Sequence, residues 1–220
     1  MRTGSLRALG VWALFAVFLG VFLCGCGGTA EGPQGDADAA VLADMSFMAD
    51  IAQNVAGDRL AVSALLPAGA DPHSFEPTPQ DAKRVAACRA MVINSTGLVT
   101  LIDDLIEDVA SKDLLVIEAA AGLPGSTEDP HLWLDPLSVV GYAENIAAGF
   151  AVLDPDGADT YRAKAASYAS ELRALDTWIA AQIATIPVEG RLLVTNHENL
   201  NYFARRYGFT VVGAVFPTVD

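Results

Sequence analysis

Four short apolar runs, at residues 41–43, 60–66, 90–94 and 114–117, are separated by stretches in which apolar residues recur every three or four positions. Such runs read as strands and the stretches between them as helices, and strict strand–helix alternation closes most simply as parallel pairing with crossover helices. This fixes the fold class as α/β with parallel sheets. The run 60–66 is apolar apart from Ser63, the pattern of a strand covered on both faces.

The helical stretches carry their own start signals. Met48, Ile51, Ala52 and Val55 share one face that stops at Gly57. In Thr78-Pro79-Gln80-Asp81, Thr78 is an N-cap, Pro79 takes the first helical position, and Asp81 lies near the positive end of the helix dipole. This helix is expected to run to about Cys88. Over 98–110, Leu101, Leu105, Ile106 and Val109 form one face, with Asp103, Asp104, Glu107 and Asp108 largely opposite. Asp135-Pro136 and Asp154-Pro155 repeat the cap-then-proline device. The first opens a helix holding Val139, Val140, Ala143, Ile146, Ala147 and Phe150. The second opens a pattern through Tyr161, Ala165, Tyr168, Leu172, Leu175, Ile179 and Ile183 that lasts until Pro187.

Roughly 30 residues of helix would span about 45 Å, far beyond the mean of about 11 or 12 residues. Two readings fit: two helices with a break near Asp176, or one rigid strut joining two domains. Beyond it, residues 191–195 and 210–215 read as strands and 197–207 as a helix, too few elements to bury a sheet on both faces. The expected organisation is an α/β lobe at 41–153, a linking helix at 154–187, and the start of a second, incomplete α/β lobe at 188–220.

The N-terminus stands apart. Arg2 and Arg7 precede an uncharged apolar stretch, residues 8–23, which meets Leu23-Cys24-Gly25-Cys26-Gly27-Gly28. This is the pattern of a secretory signal peptide, residues 1–25, and the stretch is shorter than the ~20 residues a membrane span prefers. Leu23-x-Gly25-Cys26 resembles the lipobox of bacterial lipoproteins and makes Cys26 the residue expected to carry the lipid, since Cys24 follows the bulky Leu23. Residues 26–40, rich in Gly, Ala and Asp, read as a flexible tether. The chain is expected outside the cytoplasm, lipid-anchored to the cell membrane or periplasmic. Cys88 alone of the three cysteines remains for the fold, where it reads as a small buried residue rather than half of a disulfide. The formal net charge of −14, without a basic patch, excludes nucleic acid as a partner.

The three histidines fall in short polar stretches that follow strand-like runs: Asp71-Pro72-His73-Ser74-Phe75-Glu76-Pro77-Thr78-Pro79, Asp129-Pro130-His131-Leu132-Trp133-Leu134-Asp135-Pro136, and Asn196-His197-Glu198-Asn199. Loops after the carboxyl ends of strands are where ligands bind in open α/β sheets, and imidazole is the commonest metal ligand. Two histidines lie in the first lobe and one in the second, so a metal would sit between lobes. Imidazoles suit Zn²⁺ and, to varying degree, Mn²⁺, Fe²⁺ and Cu²⁺. Three histidines with an open fourth position also describe an exported zinc-dependent hydrolase, for which Glu198, Glu76 or Asp135 could be proposed as general base. No His-Glu-x-x-His, Gly-x-Ser-x-Gly or phosphate-binding glycine loop supports catalysis. A surface adhesin would need only the lipid anchor and leaves the grouped histidine motifs unexplained.

These motifs, with Tyr202-Phe203-Ala204-Arg205-Arg206-Tyr207-Gly208 after the third, resemble the metal-binding lipoproteins of bacterial ABC importers for zinc and manganese, in order and with fitting gaps from residue 41 to residue 220. The resemblance implies two α/β lobes joined by one long helix, a divalent metal held between them, and a monomer that delivers the metal to an ABC-type permease with its ATPase and does no chemistry. Carried over position by position, the ligands are His73, His131 and His197. The family's fourth ligand, an Asp or Glu late in the second lobe, is expected beyond residue 220. A histidine at the third position tilts the expectation to zinc over manganese. The short, histidine-free loop at 119–128 leaves manganese or iron open, because many zinc members carry a long histidine- and acid-rich loop there.

Overall fold

The structure is a computed structural model that describes residues 40–70, 75–95, 100–126 and 129–216. The expected leader, Cys26, the tether and His73 lie outside the described residues. The alternation appears as strand β1 (Val41–Ala43), helix α1 (Ser46–Ala56), β2 (Val62–Ala64), α2 (Pro79–Ala87), β3 (Ala90–Ile93), α3 (Thr100–Val109) and β4 (Leu115–Glu118). The four strands form one parallel sheet in the order β2-β1-β3-β4. The chain first moves to one side of β1 and then to the other, so the winding reverses between β1 and β3. In such sheets ligands bind outside the carboxyl ends at the reversal. Asp44 and Asn94, the residues that follow β1 and β3, occupy that position.

Side chains alternate across the sheet with the strand period of two. Val41, Ala43, Ala90 and Val92 face one layer of helices, and Leu42, Met91 and Ile93 face another that includes Val85, Cys88 and Ile102. Cys88 follows α2, is buried, and has its thiol pKa pushed up by that burial. The start of α2 is a full capping box: the Thr78 hydroxyl accepts from the Asp81 N–H, and the Asp81 carboxylate accepts from the Thr78 N–H.

Two expectations change here. The run 60–66 contributes only Val62–Ala64 to the sheet, and those residues are half-buried because β2 is an edge strand with one neighbour. Leu60, Leu65 and Leu66 bury from the flanking turns instead. In α3, Ile102 takes the buried position and Leu101 is 44% exposed, while Leu105, Ile106 and Val109 of the expected face pack on the core.

After a 3₁₀ turn (Leu132–Leu134), α4 (Pro136–Leu153) starts as expected, with the Asp135 carboxylate accepting from the Leu137 N–H and Pro136 in the first turn. Val139, Val140, Ala143, Ile146, Ala147 and Phe150 are buried, and Tyr142 with them. Gly149 allows α4 to lie close on β4, since a Cβ there would sit 2.5 Å from the Ile117 side chain.

The next helix, α5 (Ala158–Ile183), is a single piece of 26 residues, about 39 Å long. It begins one turn later than expected, after a 3₁₀ turn (Pro155–Gly157), and ends before Pro187. The Asp154 carboxylate receives Arg59 (2.9 and 2.7 Å) and the Tyr161 hydroxyl (2.6 Å), which ties the helix start to the turn after α1. There is no break at Asp176. Tyr161, Ala165, Ala169 and Leu172 bury against the first sheet's helices, while Leu175 and Trp178 further along are exposed.

A second, two-stranded parallel sheet follows: β5 (Leu192–Thr195), helix α6 (Asn201–Tyr207) and β6 (Thr210–Ala214). The helix starts four residues later than expected, which leaves His197 in the loop after β5. It closes on Gly208 in the left-handed conformation. Leu192, Val194 and Val212 of this sheet are exposed.

Candidate metal centre

The stretch Asp129-Pro130-His131 is a tight turn held by one carboxylate. Asp129 Oδ1 accepts the His131 backbone N–H at 3.0 Å and lies 2.8 Å from His131 Nδ1. An aspartate two residues before the group it binds is a local turn device. Here it also fixes the ring, because Nδ1–H donates to the carboxylate and leaves the Nε2 lone pair directed away. The Trp133 ring packs on the imidazole at 5.1 Å between centroids, and Phe47 stacks on Trp133 at 4.6 Å. His131 thus has an apolar wall on one side and an acid on the other.

His197 arrives from the second sheet. Its loop turns back at once, with the Asn199 N–H donating to the His197 carbonyl at 2.8 Å. The two imidazoles meet with Nε2–Nε2 at 3.3 Å and ring centroids at 5.2 Å. Two nitrogens each about 2.0–2.1 Å from a tetrahedral zinc ion are about 3.3–3.4 Å apart. The pair has a spacing that fits two ligands on one metal ion and also an N–H···N hydrogen bond between the rings. Among the described residues, no group of three or more His, Cys, Asp or Glu gathers with metal-holding geometry. The structure brings together His131 and His197, and His73 lies outside it.

Behind this pair, a buried polar network occupies the reversal point of the first sheet. The Asp44 carboxylate accepts the N–H of Met45 and of Asn94, both at 2.7 Å. The Asn94 side chain donates to the Pro130 carbonyl at 3.0 Å and accepts the Tyr142 hydroxyl at 2.5 Å. Pro130 precedes His131, so the network reaches the turn that carries His131. Burial pushes the Asp44 carboxyl up to about 7 against the opposing pull of its two N–H donors, and nearby Asp103 adds to the rise. Burial also pushes the Tyr142 hydroxyl well above its usual range.

The three candidate general bases are all among the described residues. Glu76 and Glu198 are exposed. Asp135 caps α4 and lies 3.3 Å from Arg206. Sequence reasoning singled out neither Asp129 nor Asn94. The signal for Asp129 was present, because an acid two residues before a histidine can reach its Nδ1. Asn94 had none, since its partners lie 36 and 48 residues away.

Residues 41–219 match the family model described as zinc-uptake complex component A, periplasmic (ZnuA). The manganese-binding lipoprotein MntA of Halalkalibacterium halodurans is 33% identical over 205 residues, covering 89% of this chain and 67% of that protein. The manganese ABC transporter substrate-binding lipoprotein PsaA of Streptococcus pneumoniae is 31% identical over 212 residues, covering 90% and 68%. Among solved structures, the Zn(II)-bound ZnuA-like domain of Streptococcus pneumoniae AdcA superposes with a TM-score of 0.70 at 27% identity, over 80% of this chain and 66% of that one. The chain spans about two thirds of the length of the proteins it matches.

Proposed function

Because the chain belongs to the ZnuA family, the metal-binding substrate-binding proteins of ABC importers, we propose that it captures a divalent transition-metal ion through His73, His131 and His197 and delivers it to a membrane permease and its ATPase. Members of this family bind and hand over their cargo and are not enzymes. The observation that carries the reading is the 3.3 Å separation of the His131 and His197 Nε2 atoms, a two-ligand spacing from two different sheets. The Asp71-Pro72-His73 motif supports a third ligand, and the motif match, not an observed position, supports its assignment. Lobes at 41–153 and 188–220, bridged by the helix region 154–187, put the ion at their interface. Signal peptidase removal of residues 1–25 and lipid on Cys26 give a monomer anchored on the extracytoplasmic face, in keeping with the lipoprotein names of the relatives.

Zinc is the first choice of ion, because three imidazoles suit Zn²⁺ better than the harder Mn²⁺. Manganese is the second, favoured by the names of the relatives. Competition titration against a chromophoric chelator tests both. Zn²⁺ is expected to bind one per chain, more tightly than Mn²⁺, and His73→Ala, His131→Ala and His197→Ala are each expected to weaken it by two orders of magnitude or more. A parent protein that binds neither ion, or three variants that bind as the parent does, would overturn the assignment. Labelling with radioactive fatty acid, lost in Cys26→Ser, tests the anchor.

A further inference from the structure

The two acids that flank His131 both reach across to α6. Asp129 Oδ2 accepts the Asn201 side-chain amide at 3.2 Å. The Tyr202 hydroxyl lies 2.8 Å from the Gly125 carbonyl and 3.0 Å from the Asp129 carbonyl, and its single proton is shared between them. At the last turn of α6, Arg206 Nε bonds Asp176 Oδ1 of α5 at 2.5 Å and lies 3.3 Å from Asp135 Oδ1, while the Tyr207 hydroxyl donates to Asp176 at 2.8 Å. Asp135 stands four residues after His131 and Asp129 two before it. The first turn of α6 is thus held to one side of the His131 turn and its last turn to the other.

The loop carrying His197 runs directly into α6. Only 66 residues of sequence connect the two histidines, including the 26 residues of α5, and that helix alone does not fix a spacing of 3.3 Å. Side-chain bonds between α6 and the His131 segment supply the missing constraint. They are sheltered: Tyr202 is 7% exposed, and the Arg206, Asp135 and Asp176 side chains are 25%, 16% and 19% exposed. A half-buried cation between two carboxylates is held more firmly than a surface pair. The bond to Arg206 holds the Asp176 carboxyl below its usual range, and the same bond holds Arg206 above its own.

We infer that Tyr202 and Arg206 are positioning residues for the histidine pair, docking α6 on the acids that bracket His131 so that His197 meets it at ligand spacing. The inference rests on the metal-binding reading above.

Co²⁺ loading of the full chain tests it, because the visible absorption of bound Co²⁺ reports the number and arrangement of its ligands. The parent is expected to give the intense spectrum of a four-coordinate site, and His197→Ala a weaker, altered one. Tyr202→Phe removes only a hydroxyl, and Arg206→Met removes the charge but keeps the stem. Each is expected to lower Co²⁺ affinity about tenfold and to shift the spectrum toward that of His197→Ala. Arg206→Lys, whose ammonium can reach both carboxylates, is expected to restore most of both. If Tyr202→Phe and Arg206→Met lose thermal stability but keep the parent's spectrum and affinity, the residues are structural only and the inference fails. A parent without a Co²⁺ spectrum would instead remove the metal-binding reading, and this inference with it. If Arg206→Met does not fold, Tyr202→Phe and Arg206→Lys decide.

Discussion

Asp129 binds His131 twice with one oxygen, at the backbone N–H and at ring Nδ1, so a single carboxylate sets both the turn and the tautomer of the candidate ligand. Its other oxygen receives Asn201 of α6. The histidine is therefore oriented by an acid that also contacts the element following the second histidine.

Asp129→Asn keeps the size, removes the charge, and puts an amide NH₂ where Oδ2 accepts from Asn201. The amide oxygen can still accept from Nδ1–H, but as a neutral rather than a charged acceptor. Loss of such an outer partner typically costs about 10–100-fold in metal affinity. A zinc competition titration is expected to show a loss in that range, with the folded structure intact by circular dichroism. Parent-like affinity would mean that Trp133 and the turn orient the ring without the acid.

The buried network at the sheet reversal makes a stability prediction. Tyr142→Phe removes the donor to Asn94 Oδ1 and leaves that acceptor buried, since Asn94 and Tyr142 are both fully inaccessible. An unsatisfied buried group costs about 1–3 kcal/mol. Urea unfolding is expected to show a loss of that size with an unchanged slope. A change under about 0.5 kcal/mol would mean that another donor replaces the hydroxyl, because that is the range of an ordinary surface substitution.

Asp44 carries a pH signature. Its folded pKa lies near 7 and its unfolded value near 3.8, so between these the folded state holds the proton more firmly. This group's contribution is favourable at low pH and is lost as pH rises from about 4 through about 7, with a ceiling on the order of a few kcal/mol. Asp44→Asn cannot ionise and loses one of the two N–H acceptors at every pH. The difference in thermal midpoint between parent and variant is expected to shift in the variant's favour between pH 5 and pH 8. A difference that stays constant over that range would show that the carboxyl does not titrate there.

The parts of this fold legible in sequence are those that local chemistry decides. Thr78 and Asp81 form their capping box, and Asp135-Pro136 opens α4, because each signal is complete within four residues. Asp154-Pro155 carries the same signal and behaves differently, because Arg59, 95 residues away, occupies its carboxylate. The face of α3 was ambiguous because adjacent apolar pairs, Leu101 with Ile102 and Leu105 with Ile106, allow two phases, and only packing in the cluster with Val85 and Met91 chooses Ile102. The histidine motifs marked the candidate site, where the structure brings His131 and His197 together. Asp129, which holds His131, is local and could be read, whereas Asn94 acts through partners 36 and 48 residues away that no local pattern announces.

Gly125 joins the loop to α6 in a way that can be separated from backbone strain. Its φ of +86° is disfavoured for a residue with a Cβ, and a Cβ there would lie 2.5 Å from the Tyr202 hydroxyl. Gly122, three residues earlier in the same loop, has φ +72° with nothing within 4 Å of such a Cβ. Both Gly→Ala changes bear the left-handed penalty of about 1–2 kcal/mol. Only Gly125→Ala must also push Tyr202 off the Asp129 carbonyl. Both variants are therefore expected to unfold at lower urea, and only Gly125→Ala to bind zinc more weakly, by about tenfold, or about 1.4 kcal/mol. Equal zinc affinity in the two variants would mean that the loop carrying His131 keeps its position without the Tyr202 contact. A loss confined to Gly125→Ala would tie metal affinity to the hydroxyl that joins the two sheets.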